Sequence, residues 1–388
     1  MDPIRNPYSP GAGSRPPALV GRDLELDKFS ITLQRLAAGR SNRSLLLTGL
    51  RGVGKTVLLG EFGRIASVNG WYHEAIEANE ATELPVAMAN VIRKATLRLS
   101  STKRASDRAK RTLSVLRSFQ IRWKLPGDVS VETEPFAGLG DSGDLDSDLG
   151  DLLVDLGELA REHKTGVSFT IDEMQYLSRA HLASLVSALH RVSQSNLPVL
   201  VAAAGLPSLL GIIGQAKSYA ERLFEFSEIG SLSHEECHRA LQEPANEEGV
   251  RWEAQALARV VELSGGYPYF LQEFGKQSWD YAAGPDAITL EEVSVAVPEA
   301  IRELDGGFFR VRIDRVNESE RNYLRAMAAL GKGPYNSGAV AAKLAKKATQ
   351  VGPHRDALIR RGLIYSRRYG EIDFTVPMFD EYIRRSFQ

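Results

Sequence analysis

The chain has 388 residues, 43% of them hydrophobic and 25% charged, which is enough apolar side chain for a large core and enough length for two or three domains. No apolar run approaches the ~20 residues needed to span a bilayer, and the Pro/Gly-rich start MDPIRNPYSPGAGSRPP has no apolar core of the secretory kind, so membrane insertion and secretion are not expected. One cysteine, Cys237, excludes an intramolecular disulfide and a cysteine-built zinc site, and predicts a cytoplasmic protein.

The net charge of −1 conceals a local polarity: residues 93–124 carry eleven Lys/Arg against one Asp, and residues 126–160 carry ten Asp/Glu and no Lys/Arg. The simplest account is two solvated surfaces that attract each other, with a nucleic-acid patch as the alternative.

In chain order, residues 1–17 read as a flexible arm and 24–38 as an amphipathic helix. A strand at 44–48, a helix at 55–68 and a strand at 71–78 follow, then helical sequence to about 119. GDSGDLDSDLG is a loop entering a helix that ends near 163. GVSFTID is a buried strand, 177–192 a helix, LPVLVAAAG a second buried strand and FEFSEIG a short last one. Apolar strands alternating with helices predict a parallel sheet covered on both faces. This core spans 18–231, with the charged segment at about 93–160 as an insertion. An all-helical stretch at 232–306 and a further region at 307–388 complete the organisation.

GLRGVGKT, at 49–56, fits G-x-x-x-x-G-K-[ST] and lies between a predicted strand and a predicted helix, the setting a P-loop requires. The glycines let successive N–H groups wrap a polyphosphate at the helix start. Lys55 would reach the β- and γ-phosphates, and Thr56 would offer its hydroxyl to Mg²⁺. VSFTIDEMQ then places Asp172 and Glu173 at the end of a strand. Asp172 is expected to hold Mg²⁺, and Glu173 to orient and deprotonate the attacking water.

With their flanks, these motifs resemble the AAA+ ATPases over about 19–388. LVGRDLEL looks like the family's segment upstream of the P-loop, LPVLVAAAG its sensor 1 strand, KSYAERLFEF the segment offering an arginine finger, and SGGYPYFLQEFG the sensor 2 region of the helical lid. The nearest likeness is to replication-initiator (origin-recognition) proteins and to archaeal and bacterial ATPases allied to the STAND group. The resemblance implies an α/β P-loop NTPase core with an all-α lid and a C-terminal winged helix. It implies that ATP or ADP is bound by Val20, Gly21, Arg22, Gly49, Gly52, Val53, Gly54, Lys55, Thr56, Val57 and Pro268. It also implies that Arg222 acts on a neighbouring subunit's nucleotide; the alternative for Arg222 is a surface pair with Glu221 or Glu225. Two departures point to slow hydrolysis: the sensor 1 strand ends in Ala203, Ala204 and Gly205, leaving Ser208 as the nearest hydroxyl, and the lid has Pro268 but no arginine in the usual place.

In 316–388, thirteen Lys/Arg stand against seven Asp/Glu. NESERNYLRAMAAL, SGAVAAKLAKK and TQVGPHRDALIRRG read as three helices, and LIYS with EIDFTV as a hairpin around Arg367, Arg368, Tyr369 and Gly370, which resembles a winged helix. Gln350, His354 and Arg355 are the candidates for contact in the major groove of double-stranded DNA, with Arg367 and Arg368 on phosphate or in the minor groove. The expectation is a Mg²⁺-dependent, nucleotide-controlled ATPase that binds DNA, with a homo-oligomer or a protein partner also open. The alternative is a STAND-like switch that assembles with proteins and binds no DNA.

Overall fold

A computed structural model of the chain describes residues 1–11, 13–100, 107–125 and 134–387. Lys103 and Arg104 of the basic run, and Asp128 and Glu132 of the acidic run, lie outside the described residues. The chain divides into two compact units, residues 22–49 with 55–229, and residues 1–21 with 50–54 and 230–388.

The first unit is built on strands β1 (Ser44–Thr48), β2 (Tyr72–Glu77), β3 (Val167–Asp172), β4 (Val199–Gly205) and β5 (Phe224–Glu228). All pair in parallel, in the order β2-β3-β4-β1-β5. Parallel pairing needs crossovers, and these cover both faces of the sheet with helices. Every residue of β1 and β4 is accordingly buried, and β3 stays buried until Asp172. That two-sided burial is why these strands read as unbroken apolar runs. Thr48 lies opposite Gly205 and Ile171 opposite Ala203, so Thr48, Asp172 and Gly205 share the carboxyl edge of the sheet, where open α/β sheets place ligands.

The covering helices are α1 (Asp23–Ala37), α2 (Lys55–Val68), α3 (Leu84–Ser100), α4 (Asp107–Arg122), α5 (Leu145–Glu162), α6 (Arg179–Gln194) and α7 (Leu209–Ala216). Phe29 of α1 stacks on Phe62 of α2 at 4.3 Å, both fully buried. In α5 the buried stripe Leu149, Leu152, Leu153, Leu156 and Leu159 has helical spacing and faces the core.

The charged insertion folds onto itself. Asp155 of α5 meets Arg111 of α4 at 3.4 Å and Arg108 at 3.9 Å, and Asp151 meets Arg191 of α6 at 2.6 Å. Asp148, fully buried, accepts from Trp123 Nε1 at 3.0 Å, from Ser142 N at 2.9 Å and from Gly143 N at 3.1 Å. Asp155 thus joins the acidic run to two arginines of the basic run, while Asp151 is held from outside both by Arg191.

The second unit carries α8 (His234–Glu247), β6 (Arg251–Trp252), α9 (Ala254–Ser264), α10 (Pro268–Tyr281), β7 (Ala287–Ile288) and α11 (Leu290–Glu303). Capping boxes start α8 at Ser233 with Glu236 and α11 at Thr289 with Glu292. A π-helical stretch, Leu304–Phe309, and the short α12 (Arg310–Ile313) lead into α13 (Glu318–Ala328), which Asn317 and Glu320 cap as expected. Next come β8 (Tyr335–Asn336), α14 (Ser337–Lys343), α15 (Ala348–Arg360), β9 (Ile364–Arg368), β10 (Glu371–Phe374) and α16 (Phe379–Ser386). Three helices and a hairpin are present, with two additions: β8 joins the hairpin in the order β8-β10-β9, and α16 closes the domain. Phe309 stacks on Phe379 at 5.5 Å and on Tyr382 of α16 at 5.2 Å.

The start of the chain is not the flexible arm expected from its Pro/Gly content. Tyr8 is 3% exposed; its hydroxyl donates to Leu241 O at 2.5 Å and accepts from Trp252 Nε1 at 2.7 Å. Trp279 Nε1 donates to Asp2 O at 2.9 Å, and Arg5 pairs with Glu248 at 2.9 Å. Burial of its ring pushes the Tyr8 phenol above its ordinary pKa.

Candidate functional site

In the first unit, α2 begins at Lys55 directly after the glycine-rich turn. Lys55 is 7% exposed, and its ammonium donates to Gly49 O at 3.0 Å, so the lysine folds back along its own loop. Thr56 Oγ1 donates to Asp172 Oδ2 at 2.5 Å, joining the first turn of α2 to the end of β3. A hydroxyl and a carboxylate converging on one point are the hard oxygen donors that Mg²⁺ takes, so these two residues fit that ion. Val57 follows, half-buried, in the same turn.

Glu173 sits beside them in the left-handed region, φ 51° and ψ 37°, and its N–H donates to Asp172 Oδ1 at 2.8 Å. A short 3₁₀ turn, Met174–Tyr176, brings Gln175 back toward it: Gln175 Nε2 donates to Glu173 Oε2, and Gln175 Oε1 accepts from Leu206 N at 3.0 Å. The sequence reading passed over Gln175.

The loop 50–54 belongs with the second unit. Gly52 and Gly54 have φ of +85° and +94°, a region that side-chain-bearing residues avoid. At Gly52 an added Cβ would also touch the Tyr267 ring at 3.4 Å, and Gly52 O accepts from Tyr269 N at 3.4 Å. Val53 is 1% exposed. Arg51 N donates to Thr375 O at 3.3 Å and Arg51 Nε to Gly362 O at 3.3 Å, so the P-loop tip is hydrogen-bonded to the hairpin region of the C-terminal domain. Val20 is 5% exposed, and Gly21, φ +68°, lies against the Glu236 carboxylate. Pro268 occupies the first turn of α10, where a missing N–H costs nothing.

Gly49, Lys55, Thr56, Val57, Asp172 and Glu173 are therefore gathered in the first unit, whereas Val20, Gly21, Gly52, Val53, Gly54 and Pro268 belong to the second. Arg22, 8% exposed, opens α1. Arg222 is exposed in a 3₁₀ turn just before β5, and Glu225, one of its two expected partners, instead pairs with Lys28 at 3.3 Å. Ala203 and Ala204 are fully buried, and Ser208 makes no capping bond to α7.

The C-terminal candidates are largely engaged. Gln350 Oε1 accepts from Lys347 N at 2.8 Å, closing the start of α15. Arg355 pairs with Asp356 at 2.8 Å, Arg367 with Asp373 at 4.0 Å and Arg368 with Glu371 at 3.0 Å. His354 is half-buried, and Tyr369 at the hairpin tip is fully exposed.

A five-stranded parallel sheet with a lysine- and threonine-bearing loop after β1 and an acid pair at the end of β3, with β4 between the two strands, defines the P-loop NTPase class. Residues 18–202, just under half of the chain, match the AAA ATPase domain family, which supports ATP hydrolysis as the reaction. Residues 306–383 match a domain family of unknown function, DUF8462. No curated protein matches the chain. Among solved structures, a Walker-type ATPase of Pyrococcus abyssi is similar at 16% identity and TM-score 0.58, with 95% of this chain and 97% of that one covered. The Orc1 protein of Aeropyrum pernix in complex with DNA is similar at 16% identity and TM-score 0.49, with coverages of 95% and 93%. The RuvB Holliday junction branch migration motor of Thermotoga maritima gives 16% identity and TM-score 0.48, with coverages of 96% and 99%. At such identities it is the fold that is shared, and the first of the three supports it.

Proposed function

We propose that the protein is a Mg²⁺-dependent ATPase whose nucleotide state is passed to its C-terminal domain, and that this domain binds double-stranded DNA. Thr56 and Asp172 would hold the metal, which when bound neutralises phosphate charge. Lys55 exchanges its bond to Gly49 O for a phosphate oxygen, and Glu173 orients and deprotonates the attacking water. The observation that carries the nucleotide control is the donation of Arg51 N to Thr375 O. An amide of the P-loop bound to that carbonyl cannot also face a phosphate, so nucleotide and the docked hairpin region compete for the loop, and linkage makes the competition reciprocal. The test is backbone hydrogen exchange over residues 362–376 with and without a non-hydrolysable ATP analogue. Faster exchange with nucleotide is expected; unchanged exchange at saturating nucleotide would reject the coupling.

The surplus of Lys/Arg in 316–388 supports DNA as the ligand. A second reading, a switch that assembles with protein and leaves DNA alone, is favoured by the pairing of Arg355, Arg367 and Arg368 with neighbouring acids.

A further inference from the structure

Gln175 bridges two parts of the ATPase unit that chemistry must keep in register. Its amide orientation is fixed by its partners: Leu206 N is a donor and so demands Oε1, at 3.0 Å, which turns Nε2 toward the Glu173 carboxylate. Leu206 directly follows β4, whose last residue is Gly205. A Cβ added at Gly205 would lie 2.7 Å from Gln175 Oε1 and 2.6 Å from Leu209 Cδ2. The end of β4 is therefore bare because the Gln175 amide fills the space a side chain would need. The same glutamine grips Glu173 where the backbone is already turned into the left-handed region, with Tyr176 N donating to Glu173 O at 3.0 Å. A carboxylate held at one end by a rigid turn and at the other by an amide tied to β4 has few rotamers left.

We propose that Gln175 is a positioning residue: it aims the Glu173 carboxylate and supplies, from the turn after β3, the polar group that the tip of β4 lacks. This rests on the reading of Glu173 as the group that acts on water. The Gln175 amide is taken up by Leu206 N and the Glu173 carboxylate, so its loss should leave binding intact and slow the chemical step. Gln175→Ala and Gln175→Leu should lower kcat about tenfold or more, in the range seen when a partner orienting a catalytic group is removed, with KM and ATP affinity within about twofold of the parent. Gly205→Ala, whose added methyl would meet the amide oxygen directly, should reproduce the kcat loss. It should add little in the Gln175→Ala background, because both changes remove one interaction.

The experiment is steady-state ATPase kinetics with a fluorescent nucleotide titration on the full chain, for both single variants, the double variant and Glu173→Gln. Additive losses from Gln175→Ala and Gly205→Ala, or equal losses in kcat and affinity, would overturn the assignment. Should Gly205→Ala fail to fold, the kcat-against-KM split in Gln175→Leu still decides. A Glu173→Gln variant with parental turnover would instead sink the reading of Glu173 and leave the Gln175 geometry without a base to aim.

Discussion

Lys55 and Glu173 differ in what they can reach, and the difference is testable one residue at a time. Lys55 brings a buried charge to the P-loop, so Lys55→Ala should abolish ATP binding in a nucleotide titration. Glu173 acts on water, so Glu173→Gln should keep ATP affinity while turnover falls by at least about a hundredfold. Equal loss of affinity in the two variants would show the roles misassigned. Cys237 gives a control on the fold itself. It is fully buried, and desolvation, helped by the Glu236 carboxylate, pushes its thiol up to about 11. The thiolate is then scarce at any pH well below 11, and a thiol-reactive disulfide reagent at pH 8 should label the native chain far more slowly than the denatured one. At this scale the sequence was most informative where a residue type is dictated by chemistry. Lys55, Thr56, Asp172 and Glu173 stand in fixed relation to a strand end, and the structure gathers them there. Gln175 was not legible, since its meaning comes from Leu206 N and from the empty side of Gly205, thirty residues away in the chain.

Elements were legible where periodicity and caps agree. The buried strands β1, β3 and β4 announce themselves as apolar runs, and the Asn317 and Glu320 box marks the start of α13. The ordered arm was not, because its order depends on partners more than two hundred residues distant. Tyr8 is held by Leu241 O and Trp252 Nε1 and packs edge-to-face on Trp252 and Trp279, with ring centroids 6.2 and 6.4 Å away. Pro and Gly around it describe an irregular backbone, which is a different property from a mobile one. Tyr8→Phe keeps the ring but strands the buried Trp252 indole N–H and removes one donor from Leu241 O, so it should destabilise the chain by about 1–3 kcal/mol. Tyr8→Ala should cost more, since a cavity is added. Urea unfolding followed by tryptophan fluorescence reads both, and a parental midpoint for Tyr8→Phe would show that the hydroxyl network carries no stability.

For the whole molecule the open quantity is the C-terminal domain's ligand, and the hairpin tip separates the possibilities. Arg367 and Arg368 end β9 just before the fully exposed Tyr369, in a hairpin anchored by the buried Ile364, Ile372 and Phe374. Their pairs with Asp373 and Glu371 are solvent-facing on the arginine side, and such pairs hold little energy, so a phosphate can displace the carboxylates. Each phosphate contact releases condensed counterion. Changing both arginines to Ala should therefore flatten the slope of log K against log salt by about two and weaken all duplexes alike, with folding unchanged. Glu371→Gln, which frees Arg368 from its neighbour, should act in the opposite direction and strengthen binding. Gln350 belongs to a different class: it already caps α15 through Lys347 N, so Gln350→Ala should loosen that helix start, and a loss confined to one preferred sequence would show that it leaves the cap to read a base. Fluorescence anisotropy over a salt series, with ADP and with a non-hydrolysable ATP analogue, makes all three measurements. If the parent binds no duplex at low salt in either nucleotide state, the arginine–carboxylate pairs are the resting form of a surface made for protein, and the exposed Tyr369 is where its partner should be sought by substitution.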